Sequence, residues 1–137
     1  MRAPSEALAR SAEDLVDAAN EVVPPIPLEE AVRLLDDDSA LFVDIREAGE
    51  LERLGTIPGA YRAPRGMLEF WVDPASPYYR KALDDGRRLV LFCGSAWRSA
   101  LAAEALHRMG RTDVTHVAGG FSAWVEAGHP VEALRPR

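Results

Sequence analysis

Apolar positions along the chain fall into two patterns, helical spacing and short unbroken runs. Leu8, Ala12, Leu15, Val16 and Ala19 recur at i, i+4, i+7, i+8 and i+11. That spacing marks one face of an amphipathic helix over residues 5–20. Val23-Pro24-Pro25-Ile26-Pro27 ends it, because proline has no N–H to give a helix interior. Leu28, Ala31, Val32 and Leu35 then repeat at i, i+3, i+4 and i+7 and predict a second helix, which Pro27 can open without losing a hydrogen bond. Asp36-Asp37-Asp38-Ser39 closes it with a solvated turn.

The unbroken runs read differently. Leu41–Ile45 and Arg88–Phe92 are short, apolar and do not alternate with polar residues, and Val114–Val117 adds a third strand. Strands buried on both faces, as in a parallel sheet, look like this. Between them lie helical stretches at Glu47–Leu54, Gly66–Trp71, Tyr78–Leu83, Ser99–Met109 and Phe121–Ala127, with a brief strand at Tyr61–Ala63. Strands alternating with helices at this spacing predict an α/β domain with a parallel sheet. The proline-rich stretch divides the chain into an N-terminal helical extension (1–23), the α/β domain (24–131) and a C-terminal tail (132–137).

Composition narrows the function. With 47% hydrophobic and 28% charged residues, the 137-residue chain can build a core, and a disordered reading is excluded. Sixteen basic against 22 acidic residues argue against a nucleic-acid partner. No apolar run approaches the roughly 20 residues of a membrane span, and the first residues lack the apolar core of a signal peptide. The expectation is a soluble, cytoplasmic protein with no membrane partner. Cys93 is the only cysteine, so no intrachain disulfide or two-cysteine motif can form. His107, His116 and His129 show no ligand spacing with one another or with Cys93, and neither a metal nor a cofactor is expected. Gly119-Gly120 is a turn and makes no dinucleotide fingerprint.

The informative segment is Leu91-Phe92-Cys93-Gly94-Ser95-Ala96-Trp97-Arg98-Ser99-Ala100. A buried strand delivers a cysteine to its C-terminal end, where ligands bind in open parallel sheets. Small residues then let successive N–H groups converge into an anion nest. The helix that follows adds the partial positive charge of its dipole, and Arg98 adds a full one. All three favour thiolate over thiol, and the thiolate is the nucleophile. A lone cysteine is more often a buried structural residue, but the combination of strand, loop, arginine and helix argues for a reactive one.

At these residues the sequence resembles the rhodanese family of sulfurtransferases. Phe42-Val43-Asp44-Ile45-Arg46-Glu47, Ile57-Pro58-Gly59-Ala60, the Cys93–Ala100 loop, and Gly119-Gly120-Phe121 with Trp124 match in order, over roughly residues 24–131. The resemblance implies a single-domain, three-layer fold: a central parallel sheet of about five strands flanked by helices. It implies a Cys93 nucleophile that takes a sulfane sulfur from thiosulfate or a similar small anion and passes it to a thiol, a protein cysteine or cyanide. Backbone N–H groups of Gly94, Ser95, Ala96, Trp97 and Arg98 would cradle the persulfide. Arg98 would hold the loop and attract the donor, and Ser99 would bond the sulfur or cap the helix. Protein tyrosine phosphatases and arsenate reductases place five residues between cysteine and arginine; four stand here, which ranks that chemistry below sulfur transfer. A rhodanese-fold binding module without turnover is the other alternative.

Two departures stand out. Many family loops have glycine where Ala96 stands, and alanine disfavours positive φ, so the loop is expected to be tilted or stiffer, or Gly94 to take the permissive role. Thr56 replaces a frequent histidine, with no catalytic meaning attached. Asp44 and Arg46 read as a structural pair more than as a rim that positions the loop. Arg65 lies where the family places pocket residues, with plain solvent exposure as the equal alternative. Trp97 is expected half-exposed at the loop, Phe70 and Trp71 as a second wall, and Trp124 in the core. The extension's helix packs on its own domain, or else forms a homodimer contact. Residues 62–111 carry nine basic and five acidic residues, a local +4, and the remainder seven and 17, a local −10. A positive cleft around the cysteine is therefore expected despite the net −6.

Overall fold

The computed structural model describes residues 1–134. Four parallel strands form one sheet in the order β2-β1-β3-β4, with β1 at Ala40–Asp44, β2 at Tyr61–Arg62, β3 at Arg88–Phe92 and β4 at Val114–His116. Six α-helices accompany them: α1 (Ala12–Val22), α2 (Leu28–Leu35), α3 (Ala48–Leu54), α4 (Leu68–Val72), α5 (Trp97–Arg108) and α6 (Gly120–Glu126). No helix among the described residues is long and apolar enough to cross a membrane.

The unbroken apolar runs behave as expected of doubly covered strands. Leu41, Val43, Leu89 and Leu91 pack with Leu68 and Val72 of α4 and Ala102, Ala103 and Leu106 of α5. The intervening Phe42, Val90 and Phe92 face the other way, onto Ala31 of α2 and Phe121 and Trp124 of α6. The result is the three-layer, helix-flanked parallel sheet. A fifth strand shrinks to one residue: Ile26 donates to His116 O at 2.8 Å, and its carbonyl accepts from Ala118 N at 2.9 Å. Pro24, Pro25 and Pro27 surround it, and proline has no ladder N–H to extend the pairing.

Several boundaries move. The first helix starts at Ala12, where Ser11 and Asp14 form a reciprocal capping box. Leu8 therefore lies outside it, and Leu8 and Leu15 are exposed, while Val16 and Ala19 pack on Ala100 of α5. The N-terminal extension thus covers its own domain's α5. Gly66–Trp71 resolves into a 3-10 turn at Arg65–Met67 followed by α4, and of Tyr78–Leu83 only a 3-10 turn at Lys81–Leu83 forms. In the tail, Glu132 pairs with Thr56 in an antiparallel bridge, and residues 135–137 lie outside the described ones.

β1 and β3 are adjacent in the sheet but not consecutive in the chain. Their outgoing connections leave toward opposite sheet edges, which opens a crevice at their C-terminal ends. Asp44 and Cys93 stand at that switch point.

Candidate active site

Cys93 is the residue after β3, and its side chain is buried. The turn that follows is tighter than the sequence reading has it. α5 begins at Trp97 and not at Ser99, so Trp97, Arg98 and Ser99 form its first turn. Their N–H groups have no partner within the helix and lie at the end of the dipole nearest the cysteine. The Ala96 N–H already points at the sulfur, donating to Cys93 Sγ at 3.1 Å.

The tight turn places a demand on Ala96. It serves as the N-cap with φ 76° and ψ 4°, in the left-handed region. The permissive role therefore falls on Ala96 itself, and Gly94 has no positive φ. A left-handed non-glycine costs about 1–2 kcal/mol, held here by the rest of the loop. Part of that hold comes from α6. Phe121 N donates to Cys93 O at 2.7 Å and Ser122 N to Gly94 O at 3.0 Å. Gly120 makes this approach possible: a Cβ there would lie 2.6 Å from Cys93 O. The glycine pair that reads as a plain turn therefore carries the cysteine loop against α6.

Ser99 does not cap the helix. It is buried, receives the Cys93 thiol at 3.6 Å, and lies 3.0 Å from His116 Nδ1. His116, at the end of β4, reaches Asn20 Oδ1 of α1 through Nε2 at 2.8 Å. Burial pushes the His116 pKa down to about 4 against a smaller opposing hydrogen bond from the Val23 backbone, so the ring is neutral near pH 7. Neither His116 nor Asn20 is legible as a site residue from sequence.

Arg98 holds the loop through a partner that the sequence reading misses. Glu50 of α3 takes both guanidinium nitrogens, Nη1 at 2.7 Å and Nη2 at 3.0 Å. The same bidentate pair lowers the Glu50 pKa and raises that of Arg98, with a smaller contribution to Arg98 from Cys93. Arg65 is likewise paired, to Glu69 at 2.6 Å, and its described hydrogen bonds do not reach the cysteine loop. The local excess of basic residues therefore does not become free positive charge beside the sulfur. A cleft of about 260 Å³ opens between α1 and the loop, with Ser95, Ala96, Trp97 and His116 on one side and Glu13, Asp17 and Asn20 of α1 on the other. The positive polarity nearest the sulfur is the Ala96 N–H and the N-terminus of α5.

Trp97 is 50% exposed at the rim of that cleft. Phe70 is exposed and meets Tyr78 edge-on, whereas Trp71 packs against the core under Arg80. Trp124 is fully buried, with Nε1 bonded to Pro130 O at 2.7 Å. Asp44 and Arg46 are a buried pair. Asp44 accepts from the Arg46 backbone at 3.1 Å, from Arg46 Nε at 3.1 Å and Nη2 at 2.8 Å, and from Thr56 Oγ1 at 2.8 Å. Arg46 also bonds Gly55 O and lies over the Phe121 ring at 4.1 Å. The pair braces β1, α3 and α6 and makes no described hydrogen bond to the sulfur.

The model of the rhodanese-like domain family matches residues 27–127. The chain belongs to that family. Among rhodanese-like relatives it is similar to a sulfurtransferase of Allochromatium vinosum, 32% identical over 101 residues that cover 74% of this chain and 86% of the other. It is also similar to a thiosulfate sulfurtransferase of Shewanella oneidensis, 31% identical over 102 residues, covering 74% and 92%. A solved structure from Rhodopseudomonas palustris, of a protein of unknown function named a possible tyrosine phosphatase, superposes with a TM-score of 0.89 at 38% identity. It covers 95% of this chain and 100% of its own.

Proposed function

We propose that this rhodanese-like protein is a sulfurtransferase that carries a sulfane sulfur as a Cys93 persulfide. The observation that carries the reading is the Ala96 N–H aimed at Cys93 Sγ from 3.1 Å at the head of α5. A donor amide and a helix N-terminus stabilise negative charge on that sulfur before and after it is loaded. With thiosulfate as donor, the Cys93 thiolate attacks the outer sulfur and the S–S bond to the sulfonate breaks. Sulfite leaves with the electron pair, and the terminal sulfur of the new persulfide holds the negative charge. A thiolate or cyanide then attacks that terminal sulfur, and Cys93 departs as a thiolate. No electrons enter from outside, and no second cysteine is present to resolve the persulfide internally. The sulfur must leave to another molecule.

The name of the R. palustris structure raises phosphoryl transfer as a second reading. Only four residues separate Cys93 from Arg98 here. Glu50 already holds both terminal nitrogens of the Arg98 guanidinium that would clasp equatorial oxygens.

Mass spectrometry after incubation with thiosulfate separates the readings. A gain of about 32 Da on Cys93, one sulfur atom, removed by cyanide, is expected. Cys93→Ser should abolish it in a folded protein. Aryl phosphate hydrolysis without any sulfur adduct would establish the phosphatase reading instead, and absence of both activities would leave a binding module.

A further inference from the structure

The hydrogen bonds behind Cys93 run in one direction through three elements. Asn20 Oδ1 is an acceptor, so His116 Nε2, at 2.8 Å, carries the ring's proton. A neutral imidazole has one N–H, so Nδ1 is left with a lone pair. Ser99, 3.0 Å away, must then give its hydroxyl proton to Nδ1. What Ser99 turns toward Cys93 Sγ, at 3.6 Å, is an oxygen lone pair that receives the S–H.

We infer that Asn20 and His116 are positioning residues of the sulfur-transfer site, which together set the direction in which Ser99 hydrogen-bonds the Cys93 sulfur, so that α1 completes the site. The inference rests on the Cys93 reading above and deepens it. Three observations carry it: the unbroken chain from α1 to the sulfur, the burial of Ser99 and His116, and the position of α1 ahead of the family match, which begins at residue 27. The consequence is chemical. With its proton committed to His116, Ser99 stabilises the thiol or the protonated persulfide, and Ala96 N–H is left to hold the anion. The network therefore leaves the Ala96 N–H as the donor to the sulfur, and a hydrogen bond from Ser99 to the sulfur requires its hydroxyl to turn away from His116. Other charged groups that face these atoms are Arg98 with its partner Glu50 on the sulfur side, and Glu13 and Asp17 of α1 in the cleft that Asn20 and His116 share.

The test is Asn20→Asp, read by the ultraviolet thiolate absorbance of the single cysteine against pH. A carboxylate at residue 20 holds the imidazolium form, whose Nδ1–H donates to Ser99 and turns the Ser99 proton toward the sulfur. The Cys93 midpoint should fall by about one pH unit, the worth of one charge-assisted hydrogen bond. An added negative charge acting directly through space would raise it instead, so the sign decides. In the Ser99→Ala background the fall should vanish. A midpoint that rises or stays put with Ser99 present, or that falls equally without it, would overturn the inference. Should Asn20→Asp not fold, nitrogen NMR of the unaltered protein decides: His116 must show a bare Nδ1 and a protonated Nε2, and the opposite tautomer overturns it. Neither measurement needs a sulfur donor. A wild type that fails to form a persulfide therefore strikes the sulfurtransferase reading, and a wrong tautomer strikes only this one.

Discussion

Two buried polar groups stand side by side at the C-terminal ends of adjacent parallel strands, and they have opposite fates. At the end of β1, Asp44 takes four hydrogen bonds, from Arg46 and Thr56, and the Arg46 guanidinium is sealed against Phe121. At the end of β3, Cys93 receives one amide and gives one weak thiol bond, and the N–H groups of the next helical turn stay open around it. The same strand-end position thus yields a structural clasp when every lone pair is filled. At Cys93 the sulfur keeps unfilled capacity, the arrangement that the proposed persulfide site needs. The Asp44 oxygens are saturated and the Cys93 sulfur is not, while on the cationic side of the clasp Arg46 Nη1 is buried without a hydrogen-bond partner.

That contrast has measurable consequences. The largest effect belongs to the clasp. Asp44→Ala leaves Arg46 charged and unpaired in the interior, and thermal or urea unfolding should show a loss of about 3–5 kcal/mol, a large share of a small domain's stability. A loss under about 1 kcal/mol would mean that the pair is not sealed.

The next effect comes from His116 behind the reactive centre. Its pKa is about 4 folded and near 6.5 when exposed, so the unfolded chain binds the extra proton first as pH falls. Its contribution is fully present above about pH 6.5 and is lost as pH falls toward 4, on the order of 3 kcal/mol. Stability measured across that window should slope downward with acid, and His116→Leu should flatten the slope.

Arg98→Ala should do the reverse of Asp44→Ala. Its pair with Glu50 is partly exposed, so stability should fall by less than about 1 kcal/mol. Activity should fall further, about tenfold in kcat/KM, because Glu50 is left as an uncompensated anion beside a thiolate. A variant that unfolds as readily as Asp44→Ala would place Arg98 with the clasp. The smallest change is Ala96→Gly. Relief of the left-handed backbone, about 1–2 kcal/mol, is mostly offset by the extra entropy of a glycine, for a net gain of about 0.5 kcal/mol in denaturant unfolding.

Much of this was legible in the chain. The strands at Ala40–Asp44 and Arg88–Phe92 follow from runs too apolar to face water, and the cysteine's place at a strand end follows from them. The start of α1 is set by the Ser11–Asp14 capping box, a signal that apolar spacing through Leu8 does not carry. The fifth strand reads as a whole element in the family pattern, and three prolines reduce it to Ile26. The partners of the site were not legible. Glu50 lies 48 residues before Arg98, and Asn20 lies 96 residues before His116. Neither spacing carries a period or a motif.

The amino-acid order by itself determined the layers, the doubly buried strands and the turn that bears Cys93, because each depends on local hydrophobic pattern and backbone chemistry. Tertiary structure alone decided what surrounds the sulfur: Glu50 over Arg98, the α6 amides on the loop carbonyls, Ala96 forced left-handed, and the line from Asn20 through His116 and Ser99. Hydrogen bonds and ion pairs act over about 3 Å, and only the folded sheet brings residues so distant in sequence within that reach.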